Sequence, residues 1–286
     1  MIISCVAAIT LWPAATPQAQ PVAFAEWLNE LKTEARARGI RPVILESALA
    51  RVRPIKRVIE LDRHQPEFTL VFWDYLSNSV NDQRVWRGRK LLAEHRPLLK
   101  RVARKYGVQP RFLVAFWGLE SNFGDYTGKF PVIGALVTLA FDPRRGKFFR
   151  EQLLAALSLI NDGHISVDVK GSWAGAMGNN QFIPTTYRDF AVDFDGDGRR
   201  DLWNSLPDNF ASAANYLAKS GWRADQTWGR EVKLPRDFDF AQADLKVRKP
   251  IGGWQVLGVR RPDGGDLPTR QVSASIVLPE KGKMSP

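Results

Sequence analysis

In the stretch "FLVAFWGLESNFGDY", residues 112–126, the nine positions from Phe112 to Glu120 carry one charge, and it is Glu120 itself. A carboxylate is seldom buried in an apolar segment unless it is paired or has a chemical task. If the stretch is helical, Phe116 and Trp117 at i−4 and i−3, and Phe123 and Gly124 at i+3 and i+4, share the face of Glu120. Apolar surroundings disfavour the ionised form and raise a carboxyl pKa, which suits a general acid near neutral pH. Glycosidases use such a group to protonate the leaving oxygen of a sugar–sugar bond. The same spacing also fits a helix-end glutamate turned to solvent.

A second cluster is "DFDGDGRRDLWNSLPD", in which Asp193, Asp195 and Asp197 alternate and Gly198 follows. This is the opening half of an EF-hand loop, with glycine at the sixth place for its sharp turn. Three aspartates this close repel one another unless a cation lies between them. The glutamate usual at the twelfth place is missing, and Asn204 stands there. The bland alternative is an acidic surface turn. His64, His95 and His164 are scattered, without the spacing of a zinc site or a serine triad. The single cysteine, Cys5, leaves the rest of the chain without disulfides, zinc-finger ligands or a thiol nucleophile.

The elements that must position these groups read as helices. "AFAEWLNELKTEARARGI" and "PVILESALARV" space their apolar residues at three and four. "VWRGRKLLAEHRPLLKRVARKYGV" sets Trp86, Leu91, Leu92, Leu98, Leu99 and Val102 along one stripe, with Pro97 starting a new helix or kinking this one. Gly107 ends that segment, and Pro110 opens the helix of Glu120, expected to run to about Gly124. "PVIGALVTLAF" and "KFFREQLLAALSLINDG" are two more helices, separated by a turn at 143–145. "GSWAGAMGNNQFIPTTY" reads as a tightly packed loop entering a helix, and "DNFASAANYLAKSGW" is helical again. Beyond Trp222, "REVKLP" and "WQVLGVRR" alternate as strands do. The expected class is mainly α, of the α+β kind, with a small β-containing part late in the chain.

The net charge of +11 favours an acidic partner: nucleic acid, an anionic membrane or an anionic cell-wall polymer. Lys and Arg run mostly singly, so the charge also fits plain solubility. Residues 1–20 are uncharged and resemble the apolar and cleavage regions of an export signal. "IISC" resembles a lipoprotein cleavage box at Cys5, and the segment is too short and too interrupted by proline for a convincing membrane span.

"WGLESNFG", "GSWAGAMGNNQFIPTTY" and "DFDGDGRRDLWN", in that order, together resemble the lytic murein transglycosylase B family. "HQPEF" and "GWQVLGVRRPDGG" extend the resemblance from about Phe24 to about Pro279. With the leader read over 1–20, it implies a domain over 21–286 with a lysozyme-like α-rich core and an EF-hand-like insertion around 193–208. It implies non-hydrolytic cleavage of the MurNAc–GlcNAc bond of peptidoglycan to a 1,6-anhydro product, with Glu120 as the single acid and base. Ser172 and Gln181 match substrate-binding positions, Tyr216 and Tyr75 match groove tyrosines, and Arg144 and Arg145 match a pair that meets peptide carboxylates. Their bland alternatives are a cap for Ser172, a loop bond for Gln181, core for the tyrosines and surface for the arginines. By the same match Asp208 and the Arg199 carbonyl complete a structural calcium site with Asp193, Asp195 and Asp197, and no catalytic cofactor is expected.

The implied partners are glycan strands and stem peptides rather than nucleic acid. The implied place is the periplasm, at the outer membrane if a lipid anchor is attached, and the expected state is a monomer. Family members continue past "IVLPEKGKMSP" into a segment that adds core packing and a groove aromatic, so the chain is expected to be shortened there. A hydrolytic muramidase on the same scaffold, a binding protein that has lost catalysis, and a nucleic-acid binder remain as rivals.

Overall fold

A computed structural model describes residues 19–64 and 71–279. The expected leader lies outside the described residues except for Ala19 and Gln20, as do Cys5, most of "HQPEF" and the final "EKGKMSP". In chain order the helices are α1 (Ala19–Ala37), α2 (Pro42–Leu49), α3 (Lys56–Arg63), α4 (Phe72–Ser79), α5 (Asp82–Glu94), α6 (Arg96–Tyr106) and α7 (Pro110–Ser121). Strand β1 (Phe130–Pro131), helices α8 (Val132–Phe141) and α9 (Gly146–Asn161), and strand β2 (Lys170–Gly171) follow. Then come α10 (Pro184–Phe190), α11 (Leu206–Lys219), β3 (Lys249–Pro250), α12 (Ile251–Val256) and β4 (Ser273–Ala274). The mainly helical class expected is the one observed, and each named strand is only two residues long.

The chain folds as two units: residues up to Arg63 with Glu120–Tyr216, and His64–Leu119 with the chain from Leu217 onward. In the first, α8 is apolar on every side, and Val132 through Ala140 are all buried. A helix of that kind belongs inside a protein. Leu153, Leu157 and Phe149 of α9 pack in the same core, and Leu31, Leu45, Leu49 and Val58 of the first three helices close it. The polar residue of α8, Thr138, is satisfied twice: its hydroxyl donates to the Gly134 carbonyl at 2.7 Å and accepts the Ile55 amide at 2.9 Å. Strands β1 and β2 pair antiparallel, Phe130 opposite Gly171 and Pro131 opposite Lys170.

In the second unit, Asn81 caps α5 by accepting the Arg84 amide at 2.9 Å. Pro97 starts a new helix rather than kinking one, since α5 stops at Glu94 and Pro97 sits in the first turn of α6. Gly107, at φ 71°, ends α6 in the left-handed conformation. A small separate core gathers Phe238, Trp254, Val259, Leu267 and Ile276, and the indole N–H of Trp254 donates to the Ala274 carbonyl at 2.8 Å. The strands expected from "REVKLP" and "WQVLGVRR" reduce to one bridge, Lys233 to Arg260. Trp254–Val256 is helical instead: Pro250 caps α12 and the helix buries Trp254. A three-residue alternation cannot outweigh one anchored aromatic.

Gly128 shows how closely the first unit's backbone segments approach. Its φ is +101°, and a Cβ there would lie 2.0 Å from the carbonyl carbon of Gly171 and 2.5 Å from the Ser172 amide nitrogen. Gly128→Ala is expected to cost about 3 kcal/mol or more, combining left-handed strain with overpacking against backbone. Urea denaturation measures this, and a loss below about 1 kcal/mol would contradict the packing described.

Candidate active site

Helix α7 stops at Ser121, three residues earlier than Gly124. Asn122, Phe123 and Gly124 have φ of 52°, 61° and 86°, so three successive residues are left-handed. Phe123 and Gly124 therefore do not extend the helical face of Glu120 as the spacing implied. A phenylalanine at positive φ is held only where its surroundings over-determine it. Here the Phe123 ring is buried, the Ser121 hydroxyl accepts the Gly124 amide at 3.0 Å, and the Ser121 carbonyl accepts the Tyr126 amide at 2.9 Å. The Asn122 side chain donates to Asp125 at 2.9 Å. The last turn of α7 is thus fixed from its far side.

Glu120 occupies that last turn and is exposed, while Trp117 at i−3 is buried and Phe116 at i−4 is partly open. Exposure and desolvation coexist at this residue. The surrounding protein withdraws enough water from the carboxyl to hold its pKa above the ordinary carboxylate range. Among the described residues no cation pairs with it. The solvent-facing alternative is half right: the group is reachable, yet it is not a freely hydrated surface charge.

The loop between β2 and α10 meets the segment that follows Glu120 at two residues. Gln181, at φ 48°, donates from its side-chain amide to the carbonyls of Thr127 at 3.2 Å and Gly178 at 2.9 Å. Ser172 adjoins Gly128 through the close approach described above. The Ser172 hydroxyl accepts the amides of Ala174 at 3.2 Å and Ala176 at 3.0 Å within its own loop and retains an O–H able to donate. Tyr216 on α11 packs edge-on against Phe190 at 5.0 Å and tilted against Phe182 at 5.9 Å, with part of its ring exposed. Tyr75 belongs to the second unit, on α4, and is exposed.

Arg144 and Arg145 are held from below by a residue that the sequence reading missed. Asp62 is 4% exposed and pairs with both guanidinium groups. Arg144 donates from Nε to its carboxylate at 2.9 Å and from Nη2 to its backbone carbonyl at 2.7 Å. The arginine side chains remain 47% and 39% exposed. A buried aspartate at a helix end has no local sequence signal, because its partners lie eighty residues away.

The acidic loop brings carboxylate oxygens of Asp193, Asp195, Asp197 and Asp208 within 4.8 Å of one another. Asp193 accepts the Gly196 amide at 2.6 Å and the Gly198 amide at 2.8 Å. Asp208 is fully buried and accepts the amides of Phe194 at 2.7 Å and Asp201 at 2.9 Å. Burial pushes its pKa up, with the charge of Asp195 adding to that and the amide bonds opposing it. The Arg199 amide donates to Asp197 at 2.8 Å, and Asn204 turns away to Asp201 at 3.0 Å. Four converging carboxylates fit a hard, oxygen-seeking cation such as Ca²⁺.

Residues 23–285 match the family described as Transglycosylase SLT domain. The chain belongs to that family. It is similar to the membrane-bound lytic murein transglycosylase B of Escherichia coli K12, 32% identical over 244 residues, 77% of this chain and 67% of the relative. Its fold matches SltB3 from Pseudomonas aeruginosa, solved in complex with NAG-NAM-pentapeptide. There the TM-score is 0.85 with 47% identity, over 90% of this chain and 69% of that one. It also matches the E. coli lytic transglycosylase Slt35 in complex with calcium, at TM-score 0.74 and 26% identity, over 91% and 81%. The transglycosylase is therefore an enzyme of peptidoglycan glycan strands with a helix-rich, lysozyme-like architecture.

The raised pKa of Glu120 has a consequence for stability. A carboxyl whose folded pKa exceeds its unfolded value contributes stability that is fully present below the unfolded pKa. That contribution is lost as pH rises through the folded pKa. Glu120→Gln removes this dependence, so the variant should melt higher than wild type near neutral pH. The difference should shrink towards zero as pH falls below about 4, the ordinary carboxyl range. Differential scanning calorimetry from pH 3 to 8 reads it, and parallel curves would contradict the desolvated carboxyl.

Proposed function

We propose that Glu120 is the single acid and base of a non-hydrolytic cleavage of the MurNAc–GlcNAc β-1,4 bond. Its neutral carboxyl gives a proton to the glycosidic oxygen as the bond from that oxygen to the MurNAc anomeric carbon breaks, releasing the GlcNAc end as a free hydroxyl. The resulting carboxylate takes the proton from the MurNAc C6 hydroxyl while that oxygen bonds to the anomeric carbon. A 1,6-anhydro ring forms, Glu120 regains its proton, and no water is consumed. The observation that carries this reading is an exposed carboxyl with a raised pKa and, among the described residues, no pairing cation. The carboxylates nearest to it in sequence are engaged elsewhere: Asp125 by Asn122 at 2.9 Å, and Asp142 by Arg63 at 3.0 Å. A retaining or inverting hydrolase would need a second carboxylate positioned opposite Glu120.

Ser172 would offer its O–H and Gln181 its side-chain oxygen to hydroxyl and N-acetyl groups. Tyr216 and Tyr75 would supply ring faces to the sugars. Arg144 and Arg145, anchored on Asp62, would present their remaining N–H donors to stem-peptide carboxylates. Asp193, Asp195, Asp197 and Asp208, with the Arg199 carbonyl, would hold Ca²⁺, whose positive charge offsets the repulsion among them and stabilises the fold. No described helix is long and apolar enough to cross a membrane. The reading places a monomer in the periplasm, with attachment through Cys5 the route to the outer membrane.

Digestion of purified peptidoglycan tests the chemistry. Wild-type protein should release anhydro muropeptides, lighter by one water than their reducing counterparts in mass spectra, and Glu120→Gln should reduce their rate by about 10²–10⁴-fold. Reducing ends from wild-type protein would point to hydrolysis instead. For the cation, calcium should raise the melting temperature and EGTA should lower it, and a melting curve indifferent to both would remove Ca²⁺ from the account.

A further inference from the structure

Two buried asparagines stand immediately before Gln181, and the chemistry above uses neither. Asn179 donates its backbone amide to the Leu202 carbonyl at 2.8 Å. Its side chain donates to the carbonyls of Leu202 at 3.0 Å and Trp203 at 2.8 Å. Asn180 donates from its side chain to the Asn209 carbonyl at 2.7 Å. Gly178 completes the contact: at φ +68°, a Cβ there would lie 2.7 Å from the Leu202 Cβ and 2.9 Å from its carbonyl oxygen.

Leu202 and Trp203 lie on the arm that carries the acidic loop, and Asn209 lies on α11. Asp201 accepts the amides of Trp203 at 2.8 Å and Asn204 at 2.9 Å, which shapes the backbone whose carbonyls face Asn179. Asn209 follows Asp208, the buried member of the carboxylate cluster. At the other end, Gln181 holds a left-handed φ of 48° and closes its amide onto the Gly178 carbonyl at 3.1 Å. Such a backbone costs on the order of 1 kcal/mol or more and persists only where its surroundings fix it. The Met177–Phe182 bridge and the bonds of the Gln181 side chain fix it in part, and Asn179 and Asn180 tie the same turn to the backbone at Leu202, Trp203 and Asn209.

We infer that Asn179 and Asn180 are positioning residues that fasten the Gln181 turn to the carboxylate loop. A divalent cation at Asp193, Asp195, Asp197 and Asp208 and a glycan at the Gln181 turn therefore strengthen each other's binding. The inference rests on the glycan-binding reading of Gln181. A cation that draws the carboxylates together orders the arm from 193 to 208. The glycan then has less ordering left to accomplish, and the effect is reciprocal.

The test uses full-length Glu120→Gln protein, which should bind glycan with little turnover, and a GlcNAc–MurNAc tetrasaccharide followed by titration calorimetry. Affinity in calcium is expected to exceed affinity in EGTA by about tenfold. Asn179→Ala and Asn180→Ala, added singly, should bring that ratio towards one while calcium still raises the melting temperature. Equal affinities with and without calcium in the parent overturn the proposal, as does a tenfold ratio kept by both asparagine variants. Gln181→Ala separates the two levels. If it binds as tightly as the parent, the glycan-binding reading fails and the coupling with it. If it weakens binding while the asparagine variants keep the calcium effect, only the coupling fails. Hydrogen exchange on the unaltered protein needs no folded variant. EGTA should raise amide exchange across residues 177–182, and exchange that rises in the acidic loop alone overturns the proposal.

Discussion

A carboxyl that must both give and take one proton has to be partly dehydrated and still within reach of its substrate. These demands conflict, because what makes a side chain reachable also hydrates it. In the chemistry proposed for Glu120 both demands fall on one residue: α7 ends one residue past it, and the chain then turns through three left-handed residues. The buried Phe123 ring and the Ser121 hydroxyl, which accepts the Gly124 amide, fix that turn.

The same economy recurs in the loops. Ser172 spends its acceptors on backbone amides and keeps a donor, while Gln181 spends its donors on backbone carbonyls and keeps an acceptor. Arg144 and Arg145 are fixed by one buried aspartate and remain open at their outer edges. In each case internal hydrogen bonds set the direction of a polar group before any ligand arrives. Such pre-organisation lowers the ordering cost of binding.

Much of this was legible from local pattern. The helical class, a break at Pro97 and the stop at Gly107 follow from periodicity and from proline and glycine chemistry acting over one turn, and the structure makes the break a new helix rather than a kink. Asp193, Asp195 and Asp197 mark an acidic loop by spacing alone, whereas Asp208 came only through the family resemblance. What local pattern missed depends on distant partners. The pairing of Asp62 with Arg144 and Arg145 spans about eighty positions, and the asparagines before Gln181 look like ordinary turn residues until Leu202 and Asn209 are placed against them. The early end of α7 was missed because Phe123 disfavours the left-handed region, and burial of its ring overrides that preference. The strand expected at "WQVLGVRR" failed because burial of Trp254 in a helix outweighs a short alternation.

The central claim is that one carboxyl moves one proton both ways while water takes no part. Digestion of peptidoglycan in H₂¹⁸O, with the newly formed MurNAc ends read by mass spectrometry, tests this most directly. The account predicts anhydro ends that carry no ¹⁸O. New MurNAc ends that acquire ¹⁸O at the anomeric position during cleavage would contradict it, because a water would then have attacked where the C6 hydroxyl is proposed to act.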